Sequence, residues 1–236
     1  GLSRIQEKQI TLLGGISRGF QYRYDTAGRL QLVAYPGELT LQNEYNSVGF
    51  LSSVANLYDN KVVWRTTAGD KWGNVTQFSL GNGLAGSRTY DTKSGLVQSI
   101  KSGTTATNGS IQSNGYVFDT SGNLVQRSFA AGTALTEKFT YDGLNRVSNA
   151  VTTGLSSGTR TLQHGYDALG NITFKTNVSD VNGYKYASTG NAGPHAVTST
   201  VLGSATTTFG YDTKGNMTAN GAKTLQYTIF NQPYSI

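Results

Sequence analysis

A short motif, Tyr-Asp-x-x-Gly followed by Arg or Asn and an apolar residue, recurs along this chain and constrains its fold more than any other feature. Clear copies begin at Tyr24, Tyr166 and Tyr211, and near copies at Tyr45, Phe118 and Tyr141. Degenerate copies bring the motif starts to positions 24, 45, 69, 90, 118, 141, 166, 186, 211 and 227, mostly 20 to 28 residues apart. Self-similarity at such a period indicates an array of supersecondary units.

Each motif has the residues of a tight hairpin turn. Aspartate at the first position of a type I turn accepts a backbone hydrogen bond from two residues on, and glycine at the fourth position supplies the positive φ of a G1 bulge. Asparagine is the best other occupant of that left-handed position, so Asn145 and Asn231 also fit it. The residues predicted to build the turns as a structural repeat are Tyr24, Asp25, Gly28, Leu30, Tyr90, Asp91, Gly95, Phe118, Asp119, Gly122, Tyr141, Asp142, Tyr166, Asp167, Gly170, Ile172, Tyr211, Asp212, Gly215 and Met217.

The loop length predicts the strand register. With a three-residue loop, aspartate faces the residue after glycine, and tyrosine faces the apolar residue after that. The apolar pairs are then Tyr24/Leu30, Phe118/Leu124, Tyr141/Val147, Tyr166/Ile172 and Tyr211/Met217, and the polar pairs are Asp25/Arg29, Asp119/Asn123, Asp142/Arg146, Asp167/Asn171 and Asp212/Asn216. Two positions upstream, Tyr22, Tyr116, Phe139, His164 and Phe209 extend an aromatic stripe with the period of a half-buried strand. The same count places His164 opposite Phe174.

Composition agrees with an all-β fold, because 30 glycines, 14 tyrosines and only 3 prolines suit many turns joined by aromatic strands. An isolated hairpin is marginally stable, so successive hairpins must lie side by side. We therefore predict one array over residues 1–236, with about ten repeats from residue 20 on, forming a continuous curved or spiralling antiparallel sheet. Since Met217 is the only methionine, we expect the chain to be a piece of a longer polypeptide.

Charge and residue usage exclude several classes of function. The absence of cysteine removes disulfides and cysteine nucleophiles. The net charge of +6 comes from scattered Lys and Arg with no basic run, so nucleic acid is not expected as a partner. No stretch approaches the roughly 18 apolar residues of a membrane span.

Catalytic and metal-binding interpretations are less favourable than structural ones. Each predicted turn offers only one carboxylate, which is a poor start for a calcium site, so neither a metal nor a cofactor is expected. A Ser-His-Asp site would need His164 or His195, the only histidines. His164 falls in the aromatic stripe, and His195 suits a connector held by a buried or hydrogen-bonded ring. We therefore expect no enzyme.

The aromatic residues leave one binding function open. Trp64, Trp72 and the tyrosines could stack against sugars or single-stranded nucleic acid. Most of them occupy strand positions that should face the covered side of the sheet, so carbohydrate remains a possible partner mainly through the loops.

From Phe20 onward the chain resembles the YD-repeat, or Rhs-repeat, family, and residues 193–199 and 227–236 resemble late segments of bacterial Rhs proteins. The resemblance implies a strip of β-hairpins that spirals into a hollow shell. In bacterial polymorphic toxins and the B/C components of Tc (ABC) toxins such a shell encloses a C-terminal toxic domain, and in animal teneurins a similar barrel belongs to an adhesion receptor.

The resemblance implies a structural shell segment that encapsulates or carries a toxin domain, in a secreted or cell-surface bacterial protein. The expected partners are the rest of its own polypeptide and other copies joined through open sheet edges. The alternative is an extracellular or cell-wall module for adhesion, carbohydrate binding or self-assembly. The aspartate-bearing cleavage motif that follows the repeats in Rhs proteins is not visible here, so neither autoproteolysis nor the toxin's chemistry is assigned to this chain.

Overall fold

A computed structural model describes residues 4–12, 14–186 and 190–236, and every regular element within these ranges is a β-strand. The strands are β1 (Glu7–Thr11), β2 (Ser17–Tyr24), β3 (Leu30–Ala34), β4 (Thr40–Tyr45), β5 (Leu51–Asn56), β6 (Val62–Gly69), β7 (Val75–Leu80), β8 (Ala85–Tyr90), β9 (Val97–Gly103), β10 (Gln112–Phe118), β11 (Leu124–Phe129), β12 (Leu135–Tyr141), β13 (Val147–Leu155), β14 (Gly158–Tyr166), β15 (Ile172–Lys175), β16 (Tyr184–Tyr186), β17 (Val197–Leu202), β18 (Ala205–Tyr211), β19 (Met217–Asn220), β20 (Lys223–Thr224), β21 (Gln226–Tyr227) and β22 (Pro233–Ser235). Among the described residues, no helix has the length and apolar character needed to cross a bilayer.

Strands that follow one another in sequence are neighbours in the sheets. Strands β1 to β15 form one sheet in sequence order, β16 to β20 form a second, and β21 and β22 form a third. The chain divides into two compact units, Gly1–Phe118 with Arg127–Ala134, and Asp119–Gln126 with Leu135–Ile236. The predicted all-β fold of consecutive antiparallel hairpins is confirmed.

The register beside the turns agrees with the sequence-based count. Tyr166 pairs with Ile172, and the Asp167 N–H donates to the Asn171 carbonyl at 2.9 Å. The same pairing joins Tyr24 to Leu30, Tyr141 to Val147 and Tyr211 to Met217. In the turn after Phe118, the Asp119 N–H donates to the Asn123 carbonyl at 2.9 Å. We call the fourth position of each turn, where most motifs have glycine, the glycine slot. Asn145 and Asn231 occupy this slot and have φ values of 60° and 58°, as predicted.

At the residue that precedes each of these tyrosines in sequence, the observed register departs from the predicted one. The register shifts between Gly165 and Tyr166, so that His164 pairs with Lys175 and Gly165 with Phe174. The prediction that His164 faces Phe174 is therefore wrong. A β-bulge adds one residue, Thr173, to the returning strand. Equivalent shifts accompany Tyr24, Tyr45, Tyr141 and Tyr211.

Most strand side chains are half-buried or exposed, and the described residues form no closed apolar core. Along β6 the side chains alternate strictly between half-buried and exposed. No large apolar side chain among the described residues is fully buried, and the buried polar residues are Thr40, Ser53, Thr152, Asn171, Ser179 and Thr200. Domains built from two packed layers bury such apolar side chains. Within each unit, the aromatic stripe is therefore only partly covered.

Candidate functional site

The motif aspartates organise their own turns. Asp70 Oδ1 accepts the backbone N–H groups of Trp72 and Asn74, each at 2.9 Å, and Oδ2 accepts the Asn74 amide at 2.9 Å. Asp119, Asp167 and Asp212 repeat this three-donor arrangement with Asn123, Asn171 and Asn216. These carboxylates are therefore committed to backbone and amide donors in the turn.

Arginine replaces asparagine in two turns. Asp25 and Asp142 each accept the backbone N–H of the residue four positions on, and each forms an ion pair of 2.7 Å with its Nε, from Arg29 and Arg146 respectively. All five polar pairs expected across the turns are thus hydrogen bonds or ion pairs.

These contacts keep the turn carboxylates ionised. The backbone N–H of Arg29 lowers the pKa of Asp25, and the guanidinium adds to the effect. At Asp70 the Asn74 amide is the main cause of the lowered pKa. At Asp167 burial acts to raise the pKa, but the hydrogen bonds from Asn171 outweigh it. Over the described part of the chain, no group of three or more His, Cys, Asp or Glu residues could hold a metal ion.

Several motif tyrosines connect their hairpin to the preceding segment of the chain. Strands β3 and β4 are paired from Ala34/Thr40 to Leu32/Gln42. Beyond that pair, towards Leu30 and Tyr45, they separate. The Tyr45 hydroxyl spans the gap and donates to the Leu30 carbonyl at 2.8 Å, beside the Asn43 amide at 2.9 Å. The side chain thereby satisfies a carbonyl that has lost its strand partner.

This hydroxyl contact recurs along both units. The hydroxyls of Tyr24, Tyr45, Tyr141, Tyr166, Tyr186 and Tyr211 donate to the carbonyls of Ile5, Leu30, Leu124, Val147, Ile172 and Val197 at 2.7 to 3.0 Å. We call this series the tyrosine ladder. Sequence reasoning assigned these tyrosines only to the apolar face and missed the ladder. The preference for Tyr over Phe at the motif start is the signal that could have indicated it.

Removing one ladder hydroxyl is expected to lower stability modestly. Tyr166→Phe leaves the Val147 carbonyl, which accepts the hydroxyl at 3.0 Å, without that donor. A net protein hydrogen bond contributes about 1 kcal/mol, so we expect a loss of that size in chemical denaturation. Tyr58→Phe is the control, because Tyr58 is 71% exposed and lies outside the ladder. Equal changes in the two variants would contradict a specific role for the ladder.

A second contact joins neighbouring turns through the residue that follows the glycine slot. The Arg29 guanidinium lies 4.3 Å from the centroid of the Tyr45 ring, and Arg146 lies 4.5 Å from that of Tyr166. The Asn123 amide donates to Asn145 Oδ1 at 2.9 Å. Consecutive turns are thus in contact through side chains as well as through the strands.

The histidines have different surroundings. His164 is half-buried, and its Nδ1 is buried without a hydrogen-bond partner. Burial lowers the pKa of His164, and the charge of Lys175 lowers it further. His195 is exposed, with its Nδ1 2.7 Å from Asn171 Oδ1. The hydrogen-bonded ring expected at His195 is confirmed, and its partner is an amide.

The two tryptophans also differ. Trp64 is half-buried and stacks on Phe78 with ring centroids 6.5 Å apart. Trp72 is 68% exposed in a cleft of about 420 Å³, with Lys71 Nζ 5.0 Å from its ring centroid. The cleft is also lined by Arg88 and Tyr90 of strand β8 and by Asp91 of the turn that follows it. Trp72 is thus the tryptophan available to a ligand.

Tc toxin proteins of known structure share the fold of this chain over part of their length. The chain is similar to the Tc holotoxin pore of Photorhabdus luminescens, with a TM-score of 0.65 and 14% identity over 92% of this chain and 12% of that chain. It is also similar to the TcdB2–TccC3 complex, with a TM-score of 0.64 and 14% identity over 97% of this chain and 15% of that chain. At 14% identity, these likenesses show similarity of fold.

The chain spans only a small part of the proteins it matches, 12% of one and 15% of the other. No family model matches the sequence, and no curated protein matches it.

Proposed function

We propose that this chain is a structural segment of a YD-repeat wall that encloses or carries a C-terminal toxin domain of the same, longer polypeptide. The observation that carries the proposal is the match of 97% of the chain to 15% of a TcdB2–TccC3 chain at a TM-score of 0.64. The polypeptide would be a secreted or cell-surface bacterial protein. Residues 1–236 would form one repeat array within it.

The chemistry of the turns supports a structural role. Each three-donor carboxylate, such as that of Asp167, is occupied by its own turn, which leaves no free acid or base there. The ladder hydroxyls are occupied by backbone carbonyls. We therefore propose that the motif residues fix hairpin shape and spacing. The half-covered aromatic face suits a wall whose second side is supplied by the rest of the polypeptide or its cargo.

The experiment is limited proteolysis of the full natural polypeptide. If the repeats enclose a C-terminal domain, that domain should survive protease concentrations that digest the same domain produced alone. Intact domain would be measured by mass spectrometry over time. Digestion of the enclosed and the free domain at the same rate would contradict encapsulation. A repeat region that also resists protease by itself would still support the structural role.

The Trp72 cleft favours carbohydrate binding as a second candidate function. An exposed indole offers an apolar face for a sugar ring, while Lys71 and Arg88 supply donors beside it. Binding of soluble oligosaccharides would be followed by calorimetry, with Trp72→Ala expected to abolish it. Trp64→Phe is the matched control, since Trp64 is packed on Phe78. Binding that persists in Trp72→Ala would exclude this cleft.

A further inference from the structure

In several repeats, the residue that directly follows the glycine slot contacts the next turn. We call this residue the post-turn residue. We propose that the post-turn residue is a specificity determinant that decides which turn can pack next to it. This inference rests on the structural role proposed above and adds to it a rule for the order of repeats.

Large post-turn residues are followed by glycine. A Cβ atom on Gly49 would make an ordinary contact, 3.5 Å from an Arg29 guanidinium nitrogen, whereas one on Gly73 would lie 2.6 Å from Phe50 Cζ. A separation of 2.6 Å between carbon atoms is far below van der Waals contact, which is about 3.5–4.0 Å. Gly73 is therefore required for two reasons, its φ of 85° and the space that the Phe50 ring occupies.

Asparagine in the glycine slot is preceded by asparagine as the post-turn residue. The Asn123 amide donates to Asn145 Oδ1 at 2.9 Å, and the Asn216 amide donates to Asn231 Oδ1 at 3.0 Å. Both slot asparagines have the positive φ that this position needs. The small amide leaves room for the second side chain and also gives it a hydrogen-bond partner.

The rule is directional. A glycine slot tolerates several post-turn residues, because Asn191 precedes Gly215 and donates instead to the Tyr211 carbonyl at 3.1 Å. Arg146 likewise precedes Gly170 and donates to the Asp167 carbonyl at 3.1 Å. Both slot asparagines have a small amide neighbour, and the Phe50 ring restricts the slot beside it to glycine. Wrong pairings are disfavoured by a clash or by a lost hydrogen bond.

The test transplants one pair into the position of the other. Asn123→Phe alone should lower Tm by about 4–8 °C, because the ring meets the Asn145 side chain and the amide bond to Asp119 is lost. Asn145→Gly alone should lower Tm by about 2–4 °C, through loss of the amide hydrogen bond. The double variant recreates the Phe50/Gly73 pair, so its Tm should exceed that of Asn123→Phe by several degrees.

The control combines Asn123→Phe with Asn231→Gly, which changes a glycine slot that does not follow residue 123. No recovery is expected in this variant. If Asn123→Phe fails to fold, the reverse transplant of Phe50→Asn with Gly73→Asn provides the same comparison against Gly73→Asn alone. If the Tm changes of the two single substitutions simply add in the double variant, the rule is wrong. The proteolysis experiment tests the proposed wall separately, so its result does not depend on this outcome.

Discussion

Replacing Gly183 by alanine is expected to lower the free energy of unfolding by about 3 kcal/mol and Tm by roughly 6–12 °C. Gly183 is buried, and an added Cβ would lie 2.5 Å from the Val201 carbonyl oxygen and 2.8 Å from that of Asp180. These backbone atoms cannot move independently, because Asp180 N–H donates to the Val201 carbonyl at 2.7 Å and Gly183 N–H to the Asp180 carbonyl at 2.8 Å. The clash should therefore displace the segment from strand β17.

The matched control is Gly143→Ala. Gly143 lies in an exposed turn, and a Cβ there would meet no atom within 4 Å. We expect its stability to be unchanged or raised by a few tenths of a kcal/mol, since alanine restricts the unfolded chain. Thermal and urea denaturation followed by circular dichroism would measure both variants. A Gly183→Ala protein as stable as Gly143→Ala would contradict the close backbone approach.

Local turn chemistry was predictable from the sequence because each motif letter has a separate physical reason. Aspartate, glycine and loop length together predicted the pairing of Tyr166 with Ile172, and the occupants of the left-handed position predicted the φ of Asn145. Hairpin order followed from the marginal stability of a single hairpin. These inferences need only residues within one repeat.

Contacts between repeats were not predictable in the same way. The Tyr166 hydroxyl bonds to Val147 in the preceding hairpin, and Asn123 bonds to Asn145 across 22 positions. The bulge at Thr173 has no letter in the motif and moved the partner of His164 from Phe174 to Lys175. Gly183 belongs to no motif, and its requirement depends on the backbone of β17. Each of these features depends on atoms that meet only after the hairpins lie side by side.

Acidification is expected to destabilise the whole array, with the steepest loss below about pH 4. In the folded state, hydrogen bonds hold the pKa values of the turn aspartates below the ordinary value. These residues are Asp25, Asp70, Asp91, Asp119, Asp142, Asp167 and Asp212. The unfolded chain therefore takes up protons first as pH falls. Stability from these groups is complete above the unfolded pKa near 3.9 and is lost as pH falls through the folded pKa.

Because the same carboxylate recurs in consecutive turns, its effects should add along the array and make the acid transition steep. The contribution of these aspartates to Tm should stay nearly constant from pH 7 to about pH 5 and then fall as the pH is lowered to 2.5. Asp142→Asn, which loses the ion pair with Arg146, should be less stable at pH 7 and have a shallower acid slope. Carbon-detected NMR titration of the carboxyl groups would give the folded pKa values directly. Turn aspartates titrating at or above 4, or a flat Tm down to pH 3, would contradict the role of the carboxylates in holding the hairpins.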